Sequence, residues 1–350
     1  MNREPGAVFG SDADSSSVVP RVALYLQDTH DLRQCIDHVQ YAESRGFEAV
    51  WQSDSRFARD SFVALGAYAA ATKRIRIGAG VVNPWTRHPA QIAAALLTLD
   101  DLAPGRVIGA LGAWDEQYAF RAGIGHTRPL LALRETLTVL RDLLALKRVS
   151  YNGSVVHVSD LALDPRQRPE ARPIPLYLGA AGLKTLALAG EIADGVLLDQ
   201  LLAPGYNTQA LAALDRGARA VGRQATRLDC AQVIVVSVDK DRSRAISLAR
   251  RLVAQAIARQ PALMRANGVP EDVLAEVAHI VGEAPVLSEG QIAQAMITVP
   301  DAVVQLITAA GEPAEVRARI ADYRAAGCDC PVLFPLGADV RLLIDTAAVR

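Results

Sequence analysis

No apolar run in this sequence reaches the roughly 18 residues that a membrane-spanning helix needs, so no such span is expected. Neither sign of charge dominates. The 37 Lys and Arg stand against 38 Asp and Glu, which removes the electrostatic case for nucleic acid or an anionic membrane surface. Cysteine is scarce: Cys35, Cys230, Cys328 and Cys330 are all there is. The last two form a C-x-C rather than a zinc-type C-x-x-C, and no His cluster joins them, so reduced thiols and no metal are expected. The sequence has no GxSxG, no Ser/His/Asp set in the order of a hydrolase and no Walker motif. It also lacks a GxGxxG after the first strand-like run, which weighs against a nicotinamide-binding Rossmann site. Residues 1–20, rich in Ser, Gly and Asp, lack the apolar core of a signal peptide and read as a loose tail of a cytoplasmic protein.

What the sequence does have is an alternation that runs over residues 21–350. Short apolar runs are each followed by an amphipathic stretch: "RVALYLQ", "EAVWQSD", "IRIGAGVVN", "RVIGALG", "IPLYLGA", "GVLLDQ", "AQVIVVSVD" and "PVLFPLG". Near-continuous apolar strands suit a parallel sheet buried on both faces. "VSYNGSVVHVSD" breaks the rhythm, and its Asn152-Gly153 signals a hairpin outside the count. Residues 261–300 read as a helical elaboration. An open doubly wound sheet could use the same pattern, but eight βα units over this length favour an α/β fold of the (β/α)8 TIM-barrel type with insertions, as one domain over 21–350.

Chemistry in such a barrel sits at the C-terminal ends of the strands. In "YLGAAGLKTL", the segment Gly179, Ala180, Ala181, Gly182, Leu183 and Lys184 runs from a strand into a helix. Free amides and the positive helix end could hold a phosphate there, or the small residues could simply make a tight turn. Asp54 ends the second strand and would either accept a hydrogen bond from a cofactor or cap the next helix. "GAWDEQ" places Gly112, Trp114, Asp115 and Glu116 after the fourth strand, where a carboxyl could assist proton transfer or merely be solvated. "VVNPWTRHP" ends the third strand with Asn83, Pro84, Trp85, Arg87 and His88. That composition suits either a ligand-facing tip or a loop in which His88-Pro89 starts a helix.

The segments "YAESRGFEAVWQSD", "RIRIGAGVVNPWTRHPAQIAAALLTLDDLAPGR", "PIPLYLGAAGLKTLALAGEIADGVLL" and "AAGEPAEVRARIADYRAAGCDCPVLFPLG" carry a resemblance. The chain resembles the bacterial luciferase-like superfamily of flavin and deazaflavin barrels. Within it, the similarity points to the coenzyme F420-dependent branch typified by methylenetetrahydromethanopterin reductase. The resemblance implies a bulge in the third strand with a cis peptide at Gly80–Val81 that backs the deazaflavin ring. It implies that Asn83 borders the ring, that Asp54 lies at its polar edge, and that Gly112 and Gly179 to Lys184 belong to the cofactor site, the latter on its phosphate. Asp115 matches the acidic position after the fourth strand. Asp115, Glu116 and Asp54 are therefore the expected catalytic residues, and Trp85 and Trp114 the expected substrate-side walls. Two positions depart from the pattern: Ser55 stands where many relatives have His, and Trp114 where they often have Gly.

The implied activity is hydride transfer between reduced F420 and a small organic substrate, in the sense of reducing a C=C or C=N bond. The alternatives are a flavin mononucleotide (FMN) monooxygenase of the same superfamily and a non-catalytic flavin-binding barrel. A homo-oligomer, dimer or tetramer, is expected.

Overall fold

The computed structural model describes residues 20–348 apart from 55–56, 115, 165–169, 172, 225–227 and 283–286. The expected tail therefore lies outside the described residues, save its last position.

In chain order the elements are β1 (Ala23–Leu26), α1 (Leu32–Ser44), β2 (Ala49–Gln52), α2 (Ser61–Ala71), β3 (Arg76–Val82), α3 (Pro89–Leu102), β4 (Val107–Gly112), α4 (Glu116–Arg121), α5 (Pro129–Leu144), β5 (Val149–Asn152) and β6 (His157–Leu161). There follow β7 (Leu176–Ala180), α6 (Leu183–Ile192), β8 (Gly195–Leu198), α7 (Asn207–Ala220), β9 (Asp229–Val238), α8 (Arg242–Arg259), α9 (Pro261–Ala266), α10 (Glu271–Val281), α11 (Glu289–Thr298), α12 (Asp301–Ile307), β10 (Ala309–Gly311), α13 (Pro313–Ala325), β11 (Cys330–Pro335) and α14 (Val340–Ala347). Strands β11, β1, β2, β3, β4, β7, β8 and β9 pair in parallel, and β9 pairs back to β11, which closes an eight-stranded barrel. These are the eight apolar runs of the sequence.

Period-two alternation sorts the strand side chains into two cores. Leu24, Val50, Ile77, Leu178 and Val196 face the outer helices. Tyr25, Trp51, Tyr177, Val233 and Phe334 fill the barrel interior. Trp51 is accommodated because β3 is glycine-rich: a methyl group at Gly78 or Gly80 would fall 2.3 or 2.5 Å from its indole. The outer layer has its own close approach. A methyl at Gly217 of α7 would come within 1.8 Å of the Ala187 carbonyl of α6, so these two helices pack backbone to backbone.

The N-terminal mouth of the barrel is closed by charge. Arg21 donates to Asp229 at 2.6 and 2.9 Å and to Glu48, while Tyr177 donates its hydroxyl to Asp229. Burial works to raise the Asp229 carboxyl, but the Arg21 and Tyr177 hydrogen bonds outweigh it and the net shift is downward. A carboxyl held below its ordinary value contributes stability above that value, near pH 4, and loses it as the pH falls through the lowered one. The Asp229→Asn protein should therefore be less stable at neutral pH, with a shallower decline below pH 4, measured by urea unfolding at a series of pH values. An unchanged acid limb would contradict this.

The hairpin β5–β6 lies outside the barrel, as the Asn152-Gly153 signal implied. Its turn is tied down by Glu135 of α5, whose carboxylate accepts from the Ser154, Val155 and Val156 amides at 2.8 Å each.

The helical elaboration expected at 261–300 is present as α9, α10 and α11, and it extends beyond those bounds. Helix α8, which reads in sequence as the barrel helix after the seventh strand, packs on β9 and β10 and also against α9 to α12, and its buried residues Ile246, Val253 and Ile257 share one core with the barrel interior. The helix that returns to β11 on the barrel wall is α13. The cap thus runs from α8 through α12. Short β10 follows it and pairs with residues Val236–Val238 at the end of β9.

Candidate active site

At the C-terminal strand ends lies a cleft of about 790 Å³, bounded on one side by the loops after β3, β4 and β7 and on the other by the cap helix α8. Of the residues singled out from the sequence, Asp54, Val81, Asn83, Gly112, Trp114, Gly179, Ala180, Ala181 and Gly182 line it.

The floor is built around Val81. The Gly80–Val81 peptide bond is cis and the β3–β4 register shifts between Gly80 and Val82. Val81 then projects between two glycines of the neighbouring strands. A methyl at Gly112 would meet Val81 Cγ2 at 2.5 Å, and one at Gly179 would meet Cγ1 at 2.2 Å. Two strand-end glycines, Gly112 and Gly179, thus make room for one valine knob, while Gly80, which does not line the cleft, makes room for Trp51. Gly112 and Gly179, both read from the sequence as cofactor-binding, therefore have a packing role as well.

The turn after β7 leads to the α6 N-terminus, with Gly182 at the N-cap and no side chain bonded to the free amides of the first turn. A methyl at Gly182 would meet nothing within 4 Å, so the space before these amides is open. Thr185, in the first turn of α6, faces the cleft, whereas Leu183 and Lys184 are exposed and are not among its lining residues. The uncapped helix end, its positive dipole and the Thr185 hydroxyl form a donor set suited to a phosphate.

The NPWTRHP stretch turns out to brace its own loop. The Asn83 carboxamide oxygen accepts from the Trp85 and Thr86 amides at 3.1 and 2.9 Å and from the Thr86 hydroxyl at 3.0 Å. Arg87 donates to Asp54 and to Asp60, each at 2.6 Å. Burial works against the Arg87 cation, but these two carboxylates outweigh it and raise its pKa. Asp60 in turn caps α2, and His88 caps α3 in a capping box with Gln91. Asp54 is therefore held by Arg87 rather than capping the following helix, and its amide donates to the Val81 carbonyl at 3.0 Å.

Trp85 is not among the lining residues. It stacks on His126 at 4.3 Å, and His126 Nε2 lies 3.1 Å from the Ala113 carbonyl, so this pair supports the loop after β4 from behind. Trp114 does line the cleft, in the left-handed backbone region at φ 27°, with its ring edge-on to Phe57 at 5.7 Å. Glu116 is exposed in the first turn of α4, a six-residue helix that the sequence reading did not resolve, and it does not line the cleft. Asp115 lies outside the described residues.

Sequence reasoning passed over several lining groups. Asp199, directly after β8 in the run GVLLDQ, is one of them. Its side chain is exposed to the solvent of the cleft, and the protein atoms crowded around it raise its carboxyl pKa against one opposing hydrogen bond from the Gln200 amide at 2.8 Å. Arg251, Gln255 and Arg259 of α8 also line the cleft. Their i, i+4, i+8 spacing was legible; the topology that turns this stripe to the cleft was not.

The family model for luciferase-like monooxygenases matches residues 15–330. The chain belongs to the luciferase-like monooxygenase family. Among curated relatives, this luciferase-like chain is 31% identical over 304 residues to the 5,10-methylenetetrahydromethanopterin reductase of Archaeoglobus fulgidus, covering 86% of this chain and 90% of the relative. It is 32% identical over 229 residues to the F420-dependent glucose-6-phosphate dehydrogenase of Nakamurella multipartita, covering 62% and 67%. In fold, it matches the coenzyme F420-dependent tetrahydromethanopterin reductase of Methanopyrus kandleri with a TM-score of 0.79 at 24% identity, over 95% of this chain and 99% of that one. No described helix of this luciferase-like protein is long and apolar enough to cross a membrane, no described group of His, Cys, Asp and Glu could hold a metal, and all four cysteines are free and buried.

Proposed function

We propose that this chain is a coenzyme F420-dependent oxidoreductase that moves a hydride between the coenzyme and a small organic substrate, in the direction that reduces a C=C or C=N bond. The observation that carries the reading is the open, uncapped α6 N-terminus beside the Val81 knob. One provides amides for a phosphate and the other a fixed apolar surface for a flat ring. The F420-dependent relatives support the same assignment.

Bound F420 supplies the hydride chemistry at its deazaflavin ring. The chain's own residues bind, orient and exclude water. The amides at the start of α6 and the Thr185 hydroxyl hold the phosphate. Val81 fixes one ring face, and the Asp54–Arg87 pair sits against the same knob through the Asp54 amide. Trp114 walls the substrate side.

We assign proton delivery to Asp199, because Asp54 is engaged by Arg87 while Asp199 has a raised pKa and faces the cleft. An acid must be protonated to donate, so kcat should fall as the pH rises through the raised Asp199 value. In Asp199→Asn that limb should vanish and kcat should drop about 100-fold, within the usual range for a lost general acid. An Asp199→Asn enzyme with the wild-type pH profile would refute the assignment.

The cofactor itself is tested by titration. Oxidised F420 should change its fluorescence saturably on adding protein, and equimolar FMN should not displace it. Preferential binding of FMN would overturn the proposal.

A further inference from the structure

The cap helix α8 carries a stripe that the coenzyme site does not use. Arg251, Gln255 and Arg259 recur at i, i+4 and i+8, which stacks them along one helix face, and all three line the cleft. Arginine on a solvated helix is ordinary. What sets this stripe apart is how the other cap arginines are engaged. Arg242 bonds Glu315 at 2.9 Å, Arg244 faces Asp239 at 3.4 Å, and Arg250 and Arg265 bond Asp301 and Glu271. Among the described residues, Arg259 has no carboxylate or carbonyl partner, and Gln255 beside it uses neither end of its amide.

Arg251 is paired, but in a way that can be exchanged. It donates to both Glu289 oxygens at 2.8 Å, and the two side chains are 45% and 80% exposed. An exposed ion pair of this kind contributes at most about 1 kcal/mol, so a ligand anion can replace Glu289 at little cost. The guanidinium forks match carboxylate and phosphate oxygens, and Gln255 adds an amide donor between them.

This stripe lies on the β9 and β10 side of the cleft, whereas the amides suited to the coenzyme phosphate belong to the turn after β7. One cleft thus offers two sets of anion-binding donors on different walls, which suits two molecules. On the reading of the cleft given above, we propose that Arg259, with Arg251 and Gln255, binds an anionic group of the substrate, a carboxylate or a phosphate. The substrate class is then a small organic acid or phosphate ester. Its charged end lies on α8 and its reducible bond toward Val81, with Trp114 along its apolar part. The same donors could in principle meet an acidic side chain of the coenzyme, and the experiment separates the two sources.

Inorganic phosphate serves as the probe, followed by phosphorus NMR. The F420-saturated wild-type protein should bind it. Arg259→Gln should weaken that binding about tenfold, the loss expected for one charge-assisted contact, and Arg259→Lys should recover part of it. In the Gly182→Asp protein without coenzyme, whose α6 turn no longer accepts an anion, phosphate should still bind, and adding Arg259→Gln should weaken this too. Because Arg259 is exposed and makes no hydrogen bond or ion pair with a described residue, the melting temperature of the variant should stay at the wild-type value, which checks folding. No phosphate binding by wild-type protein, binding indifferent to Arg259→Gln, or binding abolished by F420 saturation would each overturn the proposal; the last would give the stripe to the coenzyme. Failure of F420 to bind at all would refute the functional reading alone, since the Gly182→Asp arm runs without coenzyme.

Discussion

Replacing Gly182 by aspartate should weaken F420 binding about 100-fold and leave the fold intact. Gly182 has an ordinary φ of −74° and faces open space, with nothing within 4 Å of a built methyl group. The substitution therefore carries no packing penalty. Its effect is electrostatic. A carboxylate at the N-cap would bond the free amides of α6 itself, as capping aspartates do, and would repel a phosphate. Losing one or two charge-assisted hydrogen bonds of about 1.5–3 kcal/mol each accounts for a factor of this order. Gly182→Ala keeps the amides free and should bind within about threefold of wild type by the same measure. Fluorescence titration of the three proteins checks this. Equal affinity in the aspartate and alanine proteins would place the phosphate elsewhere.

Gly179→Ala should cost about 3 kcal/mol of stability, at the upper end for overpacking, because its methyl would lie 2.2 Å from Val81 Cγ1. The conflict is with one side chain, so it has a specific remedy. Val81→Ala removes Cγ1 and leaves Cβ 3.5 Å away, which is ordinary contact. The double variant should recover most of the lost stability, a strongly non-additive result. Coenzyme affinity should not recover with it. Removing two methyl groups from the ring's support loses roughly 1.6 kcal/mol of apolar contact, about tenfold in binding. Chemical denaturation measures the first effect and F420 titration the second. A double variant that binds F420 like wild type would mean that Val81 packs the barrel and does not support the ring.

The eight barrel strands were legible because each is a local apolar run, and local pattern is what a sequence displays. Asn152-Gly153 marked its hairpin for the same reason. The role of α8 was not legible. Residues 242–259 have the same amphipathic pattern as the barrel helices, and whether such a helix lies on the wall or over the mouth depends on what it meets after folding. The consequence for the site is direct, since Arg251 and Arg259 reach the cleft only because α8 is a cap helix.

The cofactor turn was half legible. Small residues between a strand and a helix marked Gly179 to Gly182, but helix phase then turns Lys184 outward and Thr185 inward. The Val81 knob joins residues from β3, β4 and β7, and no local pattern connects Gly112 and Gly179 to a valine so far away in sequence. Asn83 and Arg87 attracted attention as ligand-facing polar groups at a strand end. Their hydrogen-bonding capacity goes largely to the loop itself and to Asp54 and Asp60. Asp199 carries no local signal that separates it from other acids after a strand, and only the fold turns it to the cleft.

A crystal structure of the protein with F420 bound tests the central claim most directly. The account predicts the coenzyme phosphate within about 2.7–3.2 Å of the amides at the start of α6 or of Thr185 Oγ1, with the deazaflavin ring against Val81 and the α8 arginines left for a second molecule. A phosphate seated on Arg251 and Arg259, with the α6 turn empty and the ring away from Val81, would contradict it.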